Sequence, residues 1–271
     1  MTKRTQRTSA LVSATDLSIE RKAKRISRLQ KGLAKEVGLV EAKASAVSTR
    51  VRPLALKTIE PMTDAQKLFF DLYDDGYEAF LMYGSAGSGK TFLALYNALV
   101  DIMEPQSIYK RIIIVRSTVQ VREMGFLKGT EEEKLAPFEA PYMEICAELL
   151  GRKDAYEKLK DSGKIEFCSS SFLRGISFRD AIIIGDELQN FNWGEISTLI
   201  TRMGKTSKLI LCGDYAQNDL TKNKNDVSGF KNLMDVIELM PDFQRVKFTP
   251  DDCVRSGFVK SFIMACEKLG L

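Results

Sequence analysis

The chain has 271 residues, 44% of them hydrophobic and 28% charged, which is typical of globular proteins. It contains no histidine, which excludes Ser-His and Cys-His dyads and the commonest metal ligand, so any chemistry must depend on carboxylates, lysine, arginine, backbone amides and a bound metal ion. The five widely spaced cysteines form no C-x-x-C pair, which favours free thiols in a reducing cytoplasm over disulfides or a zinc site.

No stretch of the sequence indicates a membrane segment. The apolar runs fall short of the roughly 18 residues that a membrane-spanning helix needs. The N-terminus lacks the continuous apolar region of a secretory signal. We therefore expect a cytoplasmic protein without membrane contact.

The net charge of +4 hides a basic N-terminal segment. Residues 1–57 hold 14 basic and 4 acidic residues, a net of +10, whereas the rest of the chain holds 26 basic and 32 acidic residues, a net of −6. Within this segment, apolar residues recur at helical spacing between Ile19 and Val37. We expect a partly disordered, basic helical extension and linker over 1–57, with the small-residue linker at 42–57. The basic helix would contact nucleic-acid phosphates, serve as an assembly helix or simply be solvated.

From residue 58 the chain alternates between helix-like and strand-like patterns. The predicted helices cover 63–73, 90–103, about 130–150, 154–160, 193–201, 229–239 and 257–269. The predicted strands cover 79–83, 111–116, 164–168, 181–186, 208–213 and 245–249. Several of these strands are continuous apolar runs, as expected of strands covered on both faces. The pattern predicts one α/β domain over 58–271, with a mostly parallel sheet between helical layers.

Residues 84–91, GSAGSGKT, fit the phosphate-loop pattern G-x-x-x-x-G-K-[ST] between a predicted strand and a predicted helix. Glycines let backbone N–H groups approach phosphates closely, and the positive end of the helix faces the same anions. Lys90 is expected to reach the β- and γ-phosphates, and Thr91 to ligate Mg²⁺. The alternative is a glycine-rich turn that binds nothing. The expected phosphate cradle consists of Gly84, Ser85, Ala86, Gly87, Ser88 and Gly89.

Two carboxylates follow the apolar strand at 181–186, in the sequence AIIIGDEL. The carboxyl end of such a strand is expected to meet the phosphate loop. Asp186 would hold the metal ion, usually through water. Glu187 would orient and deprotonate an attacking water. The alternative is a solvated acidic pair at a strand end.

The strand at 208–213 is followed by Asp214 and Gln217. These side chains would lie beside the γ-phosphate, where a neutral amide can detect that phosphate and pass the difference to a moving loop. An ordinary Asp/Asn turn is the alternative.

These segments occur in the order seen in PhoH-like proteins, which the chain resembles over roughly residues 58–271. The stretches that carry the resemblance are GSAGSGKT, IIIVRSTVQVREMGFLKG, SFLRGISF, AIIIGDELQN, TLITRMGKTSKLILCGDYAQND and DDCVRSGFVK. The resemblance implies a three-layer RecA-like P-loop NTPase core similar to one domain of superfamily 1 helicases. It also implies ATP and Mg²⁺ as cofactors, ATP hydrolysis and a link to RNA or DNA. Small single-domain members are frequent in bacteriophages, which suggests a viral origin and a location in the host cytoplasm.

Individual positions match the family's motifs. The glycines of the phosphate loop, Lys90 and Thr91 match its nucleotide site, and Asp186 and Glu187 match its metal and water-activating pair. Gln217 matches the helicase-type γ-phosphate sensor. Gln66 resembles the glutamine that reads adenine in such helicases, with a plain exposed helix residue as the alternative. The late motif departs from the family's usual VRH, since VRS stands at 254–256.

The resemblance to a single RecA-like unit bears on the catalytic arginine. Such an arginine accelerates hydrolysis by roughly 10³–10⁵, and two-domain helicases bring it from their second domain. Here it must come from the same fold or from a neighbouring subunit, which predicts a homo-oligomeric ring, most simply a hexamer with heterologous contacts. Arg255 is the first candidate and Arg202 the second, with an ordinary salt bridge as the alternative for each.

Two segments between strands, 119–129 and 172–178, combine aromatic residues, Arg or Lys, and Gly. Such loops can bind RNA or single-stranded DNA through base stacking and phosphate contacts. Packing on the sheet or contact with another subunit is an equal alternative.

The sequence thus predicts a Mg²⁺-dependent ATPase coupled to nucleic acid. A helicase or translocase is the most specific form of this prediction. A P-loop kinase and a nucleotide-dependent switch or scaffold without significant turnover are the alternatives. Glu187 and Gln217 argue against the kinase.

Overall fold

The computed structural model of the chain describes residues 54–117, 131–173, 175, 177–214 and 229–269. The strands in these residues are β1 (Ala79–Gly84), β2 (Arg111–Arg116), β3 (Ile165–Ser169), β4 (Ala181–Asp186), β5 (Ser207–Gly213) and β6 (Phe243–Phe248). The α-helices are α1 (Asp64–Asp74), α2 (Lys90–Met103), α3 (Glu131–Leu150), α4 (Ala155–Asp161), α5 (Trp193–Thr201), α6 (Phe230–Ile237) and α7 (Gly257–Leu269). Short 3-10 helices lie at Ser170–Phe172, Leu188–Asn190 and Pro250–Asp252.

The six strands form one sheet in the order β3-β2-β4-β5-β1-β6, and each neighbouring pair is parallel. The carboxyl ends of all the strands therefore meet at one edge of the sheet. The phosphate loop follows β1 at this edge, and Asp186 ends β4, which is separated from β1 only by β5. The topology thus brings together two motifs that are about a hundred positions apart in the sequence.

Side chains of each central strand alternate between two hydrophobic cores. In β1, Phe80 and Met82 pack into the core beneath α1 to α4, whereas Leu81 faces the core beneath α5 and α6. In β4, Ile183 faces the second core, and its neighbours Ile182 and Ile184 face the first. Burial on both faces explains the continuous apolar runs of these strands. The prediction of a three-layer α/β fold with a parallel sheet is confirmed.

The observed elements differ from the predicted ones mainly at their ends. The first helix was predicted from residue 63, but Thr63 is its N-cap, with a hydroxyl that accepts a hydrogen bond from the backbone N–H of Gln66 (3.4 Å). β6 begins at Phe243, two residues before the predicted start, because the buried Phe243 pairs with Ala79 of β1. The three 3-10 helices were not predicted, since each is a single turn without its own hydrophobic period.

The predicted basic extension falls almost wholly outside the described residues. Residues 54–57, which the sequence assigned to that segment, lie against the domain. Leu56 is buried, and the backbone N–H of Lys57 donates to the carbonyl oxygen of Leu149 at the end of α3 (2.8 Å). In the described part of the chain, every helix is too short or too polar to cross a lipid bilayer.

Candidate functional site

The phosphate loop between β1 and α2 has backbone conformations that require glycine. Gly84 has φ of +113° and Gly87 has φ of +70°, values that residues with a side chain rarely adopt. A Cβ atom on Gly84 would collide with the carbonyl oxygen of Phe248 in β6. That oxygen also accepts a hydrogen bond from the backbone N–H of Ser85 (3.0 Å). β6 therefore fixes the start of the loop, and no side chain larger than hydrogen fits there.

Lys90, the first residue of α2, folds back over this loop. Its Nζ donates to the carbonyl oxygens of Gly84 (2.8 Å) and Ser85 (2.7 Å) and lies 3.3 Å from the hydroxyl of Ser88. Burial lowers the pKa of Lys90, while nearby acidic groups, Asp214 first among them, raise it. The ammonium group is thus a hydrogen-bond donor placed over the same loop that the sequence assigns to phosphate binding.

Thr91 and Asp186 are joined directly. The Thr91 hydroxyl donates to Asp186 Oδ1 (2.7 Å), and the hydroxyl of Tyr142 in α3 donates to Asp186 Oδ2 (2.7 Å). A hydroxyl has one donor hydrogen and two acceptor lone pairs. Donation by Thr91 to the carboxylate therefore leaves its lone pairs available to a cation.

The donor set fits Mg²⁺, an ion that prefers oxygen ligands and is usually held by one or two carboxylates, substrate phosphates and water. Thr91 and Asp186 supply a hydroxyl and a carboxylate at hydrogen-bonding distance from each other. In the described residues, no group of three His, Cys, Asp or Glu side chains could hold a metal without a ligand's help. Substrate phosphates and water would complete the coordination of a cation held here.

Glu187 is held from several sides just after β4. Its φ of +54° is unusual for a residue with a side chain and stores backbone strain of about 1–3 kcal/mol. Burial and the neighbouring Asp186 raise the pKa of Glu187, and the cation of Arg116 is the first of the groups that oppose this rise. Arg116 Nη2 lies 3.7 Å from Glu187 Oε1, and Gln189 Nε2 donates to Glu187 Oε2 (2.5 Å).

Gln189 also connects Glu187 to the end of β5. Its Oε1 accepts a hydrogen bond from the backbone N–H of Asp214 (2.9 Å), and the side chain is buried. Asp214 lines the same cavity as Lys90, and its place near the γ-phosphate stays a prediction. Gln217, the predicted γ-phosphate sensor, lies outside the described residues, so its assignment stays a prediction.

Gln66 is buried in α1, with 3% of its surface exposed, so it is not a plain exposed helix residue. Its Oε1 accepts from the backbone N–H of Met62 (2.8 Å), and its Nε2 donates to the carbonyl oxygen of Ser88 in the phosphate loop (3.0 Å). A side-chain amide has two N–H donors and two lone pairs, so one of each is left for a base. Recognition of adenine by Gln66 stays a prediction.

The two candidate arginines lie at opposite edges of the sheet. Arg255 lines the cavity of its own chain, and its Cγ would lie 2.8 Å from a Cβ atom built on Gly87. Arg202 caps the end of α5, and its carbonyl oxygen accepts from the backbone N–H of Phe178, close to where β4 and β5 begin. Arg202 can therefore reach a phosphate site only in a neighbouring copy.

A cavity of about 650 Å³ lies beside the phosphate loop at the carboxyl edge of the sheet. The lining residues that bear on the chemistry are Lys90, Thr91, Arg116, Asp186, Glu187 and Arg255.

Three residues of the site, Arg116, Gln189 and Tyr142, were not predicted from the sequence. Arg116 ends an apolar strand at the same edge as the acidic pair, and this position was a usable signal. Tyr142 gave none, because its helical position says nothing about a contact 44 residues away.

The predicted nucleic-acid segments are only partly described. Residues 119–129 lie outside the described residues, as do two positions within 172–178. Phe172, which follows β3, is 54% exposed, whereas Phe178 is buried and bridges to Met203. Phe178 therefore packs on the domain and is not available for stacking on a base.

Comparison with known proteins gives a consistent family. The family described as "PhoH-like protein" matches residues 58–267. A "PhoH-like protein" of Mycobacterium leprae is 33% identical over 210 residues, which are 77% of this chain and 58% of that protein. A "PhoH-like protein" of Bacillus subtilis is 33% identical over 186 residues, 68% of this chain and 57% of that protein. The chain thus spans a little over half the length of these relatives.

One solved structure similar in shape is the large terminase of a thermophilic bacteriophage. It has a TM-score of 0.44 and 13% sequence identity, with 75% of this chain and 50% of the terminase chain covered.

Proposed function

This chain belongs to the family of PhoH-like proteins, and on that premise we propose that it binds ATP with Mg²⁺ and hydrolyses the γ-phosphate. The observation that carries the proposal is the Thr91–Asp186 hydrogen bond of 2.7 Å beside a lysine folded over a glycine-rich loop. A phosphate-binding loop and a metal-binding carboxylate are brought together from two motifs 95 residues apart. A glycine-rich turn that binds nothing would not require a carboxylate beside it.

In the proposed reaction, the backbone amides of the loop at 84–89 bind the phosphates. Lys90 transfers its N–H donors from the carbonyl oxygens of Gly84 and Ser85 to phosphate oxygens. When bound, Mg²⁺ neutralises the charge that develops on the phosphates, and Thr91 and Asp186 would hold it. Glu187 orients a water for attack on the γ-phosphorus and accepts its proton. The bond from that phosphorus to the β–γ bridging oxygen breaks, so that ADP and inorganic phosphate are formed.

Of the two candidate arginines, Arg255 is the better placed to neutralise the charge on the departing γ-phosphate, since it lines the cavity of its own chain. This position would meet the need for an arginine without a second subunit. The argument for a homohexameric ring from the catalytic arginine therefore rests on Arg202, which could act only across a subunit interface. We retain the ring as a prediction that a mass measurement of the assembly tests.

The proposal also includes coupling of ATP hydrolysis to RNA or single-stranded DNA in the cytoplasm. It is supported by the basic composition of residues 1–57, with a net charge of +10. Phosphate contacts by such a segment weaken steeply as salt concentration rises.

One observation favours the alternative of a nucleotide-dependent switch. Glu187 forms an ion pair with Arg116 and accepts a hydrogen bond from Gln189, and these contacts could hold the carboxylate away from water.

The experiment that tests the proposal is an assay of phosphate release from ATP by the purified chain, with Mg²⁺ or with EDTA, in the presence and absence of RNA and single-stranded DNA. We expect turnover that requires Mg²⁺, is lost in Lys90→Ala and rises with nucleic acid. Binding of ATP with negligible turnover under all these conditions would favour the switch. Transfer of phosphate to an acceptor other than water would favour a kinase.

A further inference from the structure

The Asp186 carboxylate receives one hydrogen bond on each oxygen, and the two donors come from different helices. Thr91 of α2 donates to Oδ1 and Tyr142 of α3 donates to Oδ2, both at 2.7 Å. The two donors therefore fix the plane of the carboxylate relative to the phosphate loop. Neither the sequence motifs nor the proposed function assigns any role to Tyr142.

Rigid packing sets the position of the Tyr142 hydroxyl. Tyr142 is fully buried in the core, and its ring lies against that of Phe167 in β3, with centroids 5.9 Å apart. Asp186 itself is 5% exposed, and a buried carboxylate is costly unless its oxygens are hydrogen-bonded. The hydroxyl is thus a preplaced donor to the one carboxylate of β4 that faces Thr91.

We propose that Tyr142 is a positioning residue for the magnesium site: it orients the Asp186 carboxylate toward Thr91 and so raises the affinity of the nucleotide complex for Mg²⁺. This inference rests on the proposed function. Outer-shell groups that orient metal ligands usually change metal affinity or activity by about 10-fold to 100-fold when they are removed. Loss of the hydroxyl leaves Oδ2 without this donor and lets the carboxylate turn away from Thr91.

The chain offers a matched control in Tyr156 of α4. Tyr156 is also buried, and its hydroxyl donates to a buried carboxylate of α3, Glu139 Oε2 (2.9 Å). Neither Tyr156 nor Glu139 lines the cavity. Tyr156→Phe therefore removes the same chemical group from the same kind of bond, away from the site. A merely structural role of Tyr142 would make the two variants behave alike.

The test is a titration of Mg²⁺ against binding of a fluorescent ATP analogue, with binding in EDTA as the reference. We expect Tyr142→Phe to raise the Mg²⁺ concentration for half-maximal binding by about 10-fold or more, with binding in EDTA unchanged and Tyr156→Phe like the wild type. Equal Mg²⁺ requirements for Tyr142→Phe and Tyr156→Phe would overturn the inference. Absence of Mg²⁺-dependent binding in the wild type would instead overturn the proposed function itself.

Two further variants extend the test, and the first of them keeps it decisive if Tyr142→Phe unfolds. Replacement of Tyr142 by 4-aminophenylalanine retains an N–H donor at nearly the same place, and we expect its Mg²⁺ requirement to stay close to that of the wild type. In an Asp186→Asn background the Tyr142 hydroxyl has no carboxylate to orient, so Tyr142→Phe should add nothing to the Mg²⁺ requirement. A large loss with the amino analogue, or additive losses in the double variant, would contradict the positioning role.

Discussion

The closest packing in the phosphate loop predicts a large difference between two glycine substitutions. Gly84→Ala places a Cβ atom against the carbonyl oxygen of Phe248, in a backbone with φ of +113°. Gly76→Ala introduces the same methyl group at φ of +89°, where no described atom lies within 4 Å of the new Cβ. The second substitution therefore measures the cost of the backbone conformation alone.

The magnitudes follow from these two environments. Unfavourable φ costs about 1–3 kcal/mol at either position. At Gly84, overpacking adds about 1–3 kcal/mol, and loss of the bond from Ser85 N–H to Phe248 adds about 1 kcal/mol. We expect Gly84→Ala to lower the free energy of unfolding by about 2–4 kcal/mol more than Gly76→Ala.

Urea denaturation of the two variants, followed by circular dichroism, measures this difference. Nucleotide binding by the folded Gly84→Ala protein is a second measurement of the same clash, because relief of the clash requires the loop to move away from β6. Equal free energies of unfolding for the two variants would refute the argument that β6 packs too closely against Gly84 to admit a side chain.

Three other predictions concern catalysis, the arginine and the thiols. Glu187→Gln should lower ATP turnover by about 10²–10⁴ with nucleotide binding retained; turnover close to that of the wild type would remove Glu187 from the role of general base. Because Arg255 lines its own chain's cavity, a mixture of Arg255→Ala and Lys90→Ala subunits should show no recovery of ATPase activity, and recovery would instead place the arginine across a subunit interface. Cys266 is the one cysteine of the five that is not buried, so a thiol reagent should modify a single cysteine in the native protein and all five after denaturation; rapid modification of two or more in the native state would show that the core opens. Burial also raises the pKa of Cys146 to about 12, which keeps that thiol protonated and unreactive at neutral pH.

The parts of the site that the sequence predicted are those in which the chemistry is carried by neighbouring residues. Lys90 and Thr91 follow the glycines directly, and Asp186 and Glu187 end an apolar strand, so local spacing and strand burial suffice to find them. Their proximity followed from the rule that parallel strands end at one edge, and the structure joins Thr91 to Asp186 across 95 residues.

Other features could not be predicted because they depend on packing between distant elements. Tyr142 contacts Asp186 only because α3 packs across the first core. Gln66 was identified as a candidate for adenine recognition, yet its bonds to Met62 and Ser88 depend on how α1 meets the loop. The aromatic residues of 172–178 look alike in sequence, whereas Phe172 is exposed and Phe178 is buried in the second core.

The central claim is that the loop at 84–91 binds a nucleoside triphosphate together with the carboxylate of Asp186. The most direct measurement is a crystal structure with Mg²⁺ and a non-hydrolysable ATP analogue. We expect the phosphates to lie against the backbone amides of the loop, with Lys90 Nζ moved from the carbonyl oxygens of Gly84 and Ser85 to phosphate oxygens and Mg²⁺ beside Thr91. An analogue bound elsewhere, or a Lys90 still bonded to those carbonyl oxygens beneath a bound nucleotide, would contradict the account.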